Sequence, residues 1–247
     1  MTALSQFYQS FVDKFQLCFV DDNRFVDYML SGLGVTLKIT FFALIVGLVL
    51  GVILALIRVT HDKTSSSMRR GPLKALLGIL NAIAKIYITV IRGIPVVVQL
   101  MIWYFVILIN VKNGLVVGII GFGINSGAYV AEIIRAGIMS VDGGQMEAGR
   151  SLGFGYISTM RYIILPQAFK NVLPTLCNEF IALLKETAVV GYIASVDLTK
   201  GAYIIVGRTF EAFFPLIGAA LIYLIMVMFL TWVFGKVERR LRNSDNR

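Results

Sequence analysis

The sequence predicts an all-α integral membrane helical bundle of about five transmembrane helices, preceded by an N-terminal amphipathic interfacial helix. Hydrophobic residues make up 57% of the 247 residues and charged residues 15%, whereas soluble domains average about 25% charged residues. The apolar residues form nearly unbroken blocks, and a helix needs about 20 of them to cross the hydrocarbon core. The charged residues cluster between these blocks, as expected for a chain that crosses a membrane several times.

Five apolar segments indicate the crossings. The first has Lys38 as its only charge and the last has none, whereas the three between them are shorter or more polar. The predicted crossings are Leu33–Ile57, Val96–Ile109, Leu115–Ile138, Val172–Ile193 and Phe213–Phe234. We therefore divide the chain into an external N-terminal segment (1–30), a transmembrane domain (31–237, with a polar loop at 140–170) and a C-terminal tail (238–247).

The basic residues predict the orientation of the chain. Five Lys and Arg residues lie between Arg58 and Lys74, and five more lie between Lys236 and Arg247. The first 30 residues instead carry two basic residues and four aspartates. Because cytoplasmic loops are enriched in Lys and Arg, we expect the N-terminus outside and the C-terminus in the cytoplasm. Topology thus explains the net charge of +9, and no nucleic-acid partner is needed.

The N-terminal segment has the pattern of an amphipathic helix. Phe7, Phe11 and Phe15 recur at four-residue spacing between polar residues. Such a helix is suited to the lipid interface, although packing against the flank of the same chain fits the pattern equally well. We expect the helix to end at Asp21–Asn23.

The segment Leu76–Ile109 is too long for one straight crossing. As a helix, its 34 residues would measure about 50 Å against a hydrocarbon core of about 30 Å. Arg92-Gly93-Ile94-Pro95 is the predicted break, because proline lacks a backbone donor. Backbone groups freed at membrane depth need protein or a wet cavity around them, which places Arg92 inside the bundle. A simple kink, with Arg92 reaching the cytoplasmic interface, is the alternative.

Charged residues inside the crossings are candidates for function or for ion pairing, because charge is costly in a bilayer. Glu132 and Arg135 are three residues apart and share a helix face, which favours a structural ion pair. In the fourth crossing, Asn178 and Lys185 share one face, and this segment is the most polar of the five. Its polar residues are Asn178, Glu179, Lys185, Glu186 and Thr187. Such a helix is expected to line a pathway or a contact with a partner, with a purely structural polar network as the alternative.

Two further patterns are less specific. Glycines at four-residue spacing allow close helix packing, within this chain or against a second subunit. They are Gly47 and Gly51, Gly114 and Gly118, and Gly123 and Gly127. The segment Ser195–Glu211 is predicted to be an external loop whose charges are solvated, or else a docking site for an external protein. Its charged residues are Asp197, Lys200, Arg208 and Glu211.

A polar, glycine-punctuated segment lies between the apolar blocks. Glu147-Ala148-Gly149 is followed after three residues by Gly153, and after nine more by Ile163-Ile164-Leu165-Pro166. This spacing resembles the EAA loop of ABC-importer permeases, with Gly149 in place of the second alanine. The similarity is strongest to permeases for polar amino acids. It extends to IRGIPVVVQL from Ile91, GAYVAEIIRAGI from Gly127 and PQAFKNVLPTLCNEFIALLKETAVVGYI from Pro166.

The resemblance implies a type I ABC-importer permease in the bacterial inner membrane. The implied partners are two ABC ATPase subunits that hold ATP and Mg, a second permease copy (identical or homologous), and an extracellular or periplasmic substrate-binding protein. In this family a short helix from the loop sits in a cleft of the ATPase subunit. We expect that helix to start near Gly144 and to end around Gly153, which can adopt a left-handed conformation. The predicted coupling residues are Gly144, Gln145, Glu147, Ala148, Gly149, Arg150, Ser151, Leu152 and Gly153.

The translocation pathway is predicted from the polar residues of the crossings. Its candidates are Arg92, Pro95, Gln99, Glu132, Asn178, Glu179, Lys185 and Thr187. No catalytic, metal or cofactor site is predicted in this chain. The segment Gly144–Ser151 has the glycine spacing of a P-loop, but Arg150 replaces the lysine that binds phosphate. An ion-coupled secondary carrier is the alternative, although such carriers usually contain inverted repeats.

Overall fold

The computed structural model describes residues 3–65 and 68–243, and it contains no β-strand within them. The described chain folds into ten α-helices, joined in places by short π-helical and 3₁₀ turns. The helices are α1 Ala3–Phe15, α2 Ser31–Thr64, α3 Pro72–Gly93, α4 Val96–Ile102, α5 Gly114–Met139, α6 Gly143–Ser151, α7 Tyr156–Thr159, α8 Leu165–Glu186, α9 Leu198–Thr209 and α10 Phe213–Asn243. The α10 helix continues into the predicted tail 238–247, of which residues 244–247 lie outside the described part.

Among the described residues, four helical stretches are long and apolar enough to cross a membrane. They are Phe25–Thr64, Pro72–Gly93, Gly114–Met139 and Phe213–Arg240. A fifth crossing results if Tyr156–Ile193 and Leu198–Thr209, which are bent by 49°, form one broken span. This confirms the predicted all-α class with about five crossings.

One predicted crossing is wrong in its position. The second long apolar helix is Pro72–Gly93, whereas the apolar helix that follows it, Val96–Ile107, is too short to qualify as the predicted span Val96–Ile109. The break between them falls at the predicted place: α3 ends at Gly93 and α4 begins at Val96. Since Pro95 cannot donate a helical hydrogen bond, it separates the two helices.

The chain forms two compact units. The first contains residues 1–42, 96–122 and 183–230, and the second contains residues 43–95, 123–182 and 231–247. The core of the first unit consists of Cys18, Met29, Leu198, Ala202, Ile205, Phe214 and Ala219. In this unit α1 packs on the same chain, because Phe11 lies 4.8 Å from Phe214 between ring centroids and Lys14 pairs with Glu211 at 2.8 Å. Phe7 on the same helix remains 72% exposed. The predicted end of the N-terminal helix is confirmed by left-handed backbone at Asp22 and Asn23.

The predicted external loop Ser195–Glu211 is instead mostly the helix α9, which begins at Leu198. Asp197 is 0% exposed, and its carboxylate accepts hydrogen bonds from the backbone N–H of Thr199 and Lys200, each at 3.0 Å. The prediction of solvated charges was therefore wrong for Asp197. An aspartate at the N-cap satisfies backbone donors that a helix start would otherwise leave unpaired.

In the second unit the predicted glycine pairs bring α2 and α5 together. A Cβ atom at Gly47 would lie 2.9 Å from the Ser126 Cβ, and one at Gly123 would lie 2.6 Å from the Val46 Cγ1. A Cβ atom at Gly51 would collide with the Val130 side chain. These glycines are therefore used within the chain, where their small size lets two helix backbones approach closely.

Candidate functional site

The EAA-like segment folds into the short helix α6, which lies in the second unit. Asp142 is its N-cap: the Asp142 Oδ1 accepts a hydrogen bond from the Gly144 N–H at 2.6 Å. The helix closes where the Gly153 N–H donates to the Arg150 carbonyl at 3.0 Å and the Phe154 N–H donates to the Gly149 carbonyl at 3.1 Å. The φ of Gly153 is +87°, so the predicted short helix with a left-handed glycine after it is confirmed.

The packing around residue 149 explains why this chain has glycine where the family pattern has alanine. Gly149 is the one buried residue of α6. A Cβ atom at this position would lie 2.6 Å from the Thr159 Cγ2 and 2.9 Å from the Ile163 Cδ1. In this chain the helix therefore rests directly on the following segment, and a side chain at 149 would require Thr159 and Ile163 to shift.

Beneath α6 lies an apolar cluster that supports it. The buried members are Val59, Ile138, Val141, Ile164 and Ala168, with Met146 of α6 packed against them. Two side-chain hydrogen bonds reinforce this support: Asn171 Nδ2 donates to Ser140 Oγ at 3.1 Å, and Gln167 Nε2 donates to Gln145 Oε1 at 3.4 Å. The segment is thus fixed on its inner side.

The outer side of the segment is exposed. We define the loop surface as the exposed side chains Glu147, Ala148, Arg150, Ser151, Leu152, Phe154 and Ile157. Two of its apolar members stand out, since Leu152 is 77% and Ile157 is 79% exposed. Apolar side chains that are this exposed and belong to one surface are typical of protein interaction sites.

The candidate pathway residues fall into both units. In the second unit Arg92 is exposed, and its guanidinium lies 5.1 Å from the centroid of the Tyr129 ring. Pro95 and Asn178 are also exposed, and Glu179 accepts a hydrogen bond from the Ser126 hydroxyl at 3.1 Å. Arg92 and Glu132 border the same cavity.

Glu132 forms the ion pair expected from its spacing. Its Oε2 lies 2.9 Å from the Arg135 Nη2, and its Oε1 lies 3.8 Å from the Arg58 Nη1. Arg135 also approaches Asp62 Oδ2 at 3.6 Å. Glu132 is therefore held in a network that joins the end of α2 to the end of α5.

The remaining candidates lie in the first unit. Gln99 is buried and Lys185 is exposed. Thr187 is buried, and its hydroxyl donates to the Leu184 carbonyl at 2.7 Å. Its polar group is thus occupied within its own helix turn.

Several polar residues near Arg92 were missed by sequence reasoning. Ser140, Asn171, Thr175 and Tyr129 border the same cavity as Arg92 and Glu132. The four-residue spacing of Asn171 and Thr175 at the start of the fourth crossing was the available signal, because it places both on one helix face.

The fold and the loop define a class of membrane transport protein. The pattern of the binding-protein-dependent transport system inner membrane components matches residues 47–243, so the chain belongs to this family. More particularly, it is a permease subunit of an amino acid ABC importer. It is 40% identical to the putative glutamine transport system permease protein GlnP of Rickettsia bellii, over 87% of this chain and 93% of that protein.

Other relatives agree with this assignment. The chain is 40% identical to the arginine transport system permease protein ArtQ of Bacillus subtilis, over 89% of this chain and 95% of that protein. A crystal structure of an amino acid ABC transporter with histidines matches with a TM-score of 0.77 and 41% identity, covering 90% of this chain and 98% of that one. The inward-facing MetNI methionine ABC transporter shares the fold, with a TM-score of 0.72 at 20% identity.

Proposed function

We propose that this permease carries a polar amino acid across the bacterial inner membrane and takes its driving force from a separate ATPase subunit that binds the loop surface. The single observation that carries this proposal is the construction of α6. It is fixed from below by an apolar cluster and is exposed on its outer side, including Leu152 and Ile157.

The geometry of the segment supports a mechanical role. Its inner side rests on residues from the ends of α2 and α5 and from the start of α8, namely Val59, Ile138 and Ala168 of the apolar cluster. A displacement of α6 by a partner would therefore reach three membrane helices at once, because packed interiors transmit strain. The nucleotide and its Mg would be bound by the ATPase, which leaves hydrolysis to the partner.

Orientation and partners follow from the same proposal. The basic segments Arg58–Lys74 and Lys236–Arg247 would face the cytoplasm, together with α6, and the N-terminus would lie outside. Two ATPase subunits would bind a pair of permeases, either identical or homologous, and an external binding protein would deliver the cargo. Relatives named for glutamine and arginine support a polar amino acid as that cargo.

The candidate pathway is also part of the proposal. We assign it to the polar residues that the crossings contain, including Arg92 and the cavity beside it in the second unit. Asn178 and Glu179, which lie on α8 in the same unit, are further candidates, and Lys185 is a candidate of the first unit.

Gly153 offers a test with a matched control. A Cβ atom added at either Gly153 or Gly155 would meet no other atom within 4 Å, but only Gly153 has a positive φ. Valine at 153 is therefore strained and valine at 155 is not. In proteoliposomes with the ATPase and the binding protein, we expect Gly153→Val to retain ATP hydrolysis while import per ATP falls about tenfold or more, as does Glu147→Lys. Gly155→Val should behave like the wild type. Wild-type import by both Gly153→Val and Glu147→Lys would refute the assignment.

A further inference from the structure

A cavity of about 450 Å³ opens beside the end of α3 in the second unit. Arg92, Tyr129, Glu132, Ser140, Asn171 and Thr175 contribute its polar lining. The cavity has the size and mixed lining of a small-molecule site, with a few polar groups placed on an otherwise apolar wall.

The two charged residues of this cavity, Glu132 and Arg92, differ in whether they have an ion-pair partner. Glu132 is held by both nitrogens of the Arg135 fork, at 3.2 Å from Nε and 2.9 Å from Nη2. Arg92, in contrast, forms no ion pair and no hydrogen bond within the described part of the chain, and its guanidinium stacks on Tyr129. The acidic group is therefore already matched, whereas the basic group is not.

The charge balance around the cavity also indicates an excess of positive charge. The charges of Arg135, Arg58 and Arg92 all act on Glu132, and Arg135 also approaches Asp62, so three guanidinium groups share two carboxylates. An unmatched cation within a membrane protein is expected to face a partner or a wet cavity. Here the missing partner is an anion.

We infer that Arg92 binds the α-carboxylate of the amino acid during its passage, with Asn171 and Thr175 as hydrogen-bonding neighbours. The inference rests on the proposed function and makes it more specific. The Arg92 guanidinium lies over the Tyr129 ring, and it carries paired N–H groups that match a carboxylate in a bidentate manner. Glu132 does not receive the ammonium group, because Arg135 already occupies its carboxylate. It acts as a positioning residue that keeps the other two guanidinium groups away from Arg92.

A second arginine provides the control. Arg208 in the first unit stacks on Tyr28 with the guanidinium carbon 4.8 Å from the ring centroid. Like Arg92 it lies over a tyrosine ring at about the same distance, but it does not border this cavity. Arg92→Gln and Arg208→Gln therefore remove the same charge and the same type of stacking at two sites.

The experiment uses the purified complex of permease and ATPase. Wild-type transporter with its binding protein in proteoliposomes is first screened for ATP-dependent import of the twenty standard amino acids. The best-imported one is then used as a radiolabelled probe for equilibrium binding to the complex without the binding protein, in competition with its own α-carboxamide. The carboxamide keeps the ammonium group and the side chain but lacks the negative charge.

We expect the wild type and Arg208→Gln to prefer the amino acid over its carboxamide by about tenfold or more, as for hydrogen bonds to charged groups. Arg92→Gln should bind the amino acid about tenfold more weakly and should lose the preference, while Arg92→Lys should retain part of it. Unchanged binding and preference in Arg92→Gln would overturn the inference, as would a wild-type complex without any preference. Import by the wild type in that case would leave the proposed function standing. A wild type that imports none of the amino acids would instead refute both.

Discussion

The helices α6 and α9 are built alike but are buried very differently. Each begins after an aspartate whose carboxylate accepts backbone N–H groups, Asp142 in α6 and Asp197 in α9. Each is followed by a residue with left-handed backbone, Gly153 with φ +87° and Phe210 with φ +56°. Yet α6 buries only one of its nine residues, whereas α9 buries four of twelve.

The difference shows that capping sets where a short helix begins and ends, whereas burial distinguishes a helix that packs in a core from one that exposes a surface. The buried residues of α9 belong to the core of its own unit, which accounts for its stability. The helix α6 packs Met146 and Gly149 inward and exposes its other residues. A helix of nine residues gains little stability alone, so its exposed side is best explained by a binding partner.

The largest expected effect tests the structural role of α9. A Cβ atom at Gly201 would collide with the Tyr28 carbonyl, whereas at Gly207 of the same helix nothing lies within 4 Å. Because backbone cannot move aside cheaply, we expect Gly201→Ala to lower the free energy of unfolding by about 1–3 kcal/mol. Gly207→Ala should raise it by about 0.5–1 kcal/mol, because alanine is the better helix former. Denaturant unfolding of the purified permease measures both, and equal values for the two variants would contradict the role given to α9.

The next effect tests the loop surface. We expect Leu152→Asp and Ile157→Asp each to weaken ATPase binding by about tenfold, because exposed apolar anchors carry much of the energy of an interface. Stability should not change, since both side chains are more than three quarters exposed. Phe210→Asn is the control in the other region: Phe210 is 91% exposed, and asparagine tolerates its left-handed backbone. Pull-down with the ATPase measures the effect, and normal binding by both aspartate variants would exclude this surface as the interface.

The smallest expected effect concerns the cap of α6. Asp142→Ala removes the acceptor of the Gly144 N–H, which should cost the helix about 1 kcal/mol. Because α6 is largely exposed, we expect this cost to appear as a severalfold weaker ATPase affinity, with the unfolding midpoint unchanged. Asp142→Asn should retain most of the affinity, since asparagine is an equally good cap. A lowered unfolding midpoint with normal affinity would mean that α6 serves folding and not binding.

Much of this architecture was predictable from sequence because the bilayer imposes strong constraints. Apolar length identified most crossings, and the spacing around Glu147 and Gly153 identified α6. Hydropathy failed at Val96–Ile109, because it reports apolar length and not where a helix restarts after Pro95. It also gave no sign that Asp197 is buried, because the burial depends on residues distant in sequence, such as Tyr223.

The candidate site was harder to predict. Spacing within one helix correctly paired Glu132 with Arg135, and it could not show that Arg58 and Asp62 join them from α2. The neighbours of Arg92 likewise come from different helices: Tyr129 lies on α5 and Thr175 lies on α8. Such groupings depend on tertiary packing, for which a single sequence contains no direct signal.

Cysteine labelling of the loop surface tests the central claim most directly. Ser151→Cys would place a thiol on the exposed side of α6 in a Cys177→Ser background. Cys18 contributes little, because burial raises the pKa of its thiol. We predict that an impermeant maleimide labels the introduced thiol in inside-out vesicles and not in intact cells, and that the added ATPase subunit protects it. Labelling in intact cells, or labelling that the ATPase leaves unchanged, would contradict the proposal that α6 receives the driving force.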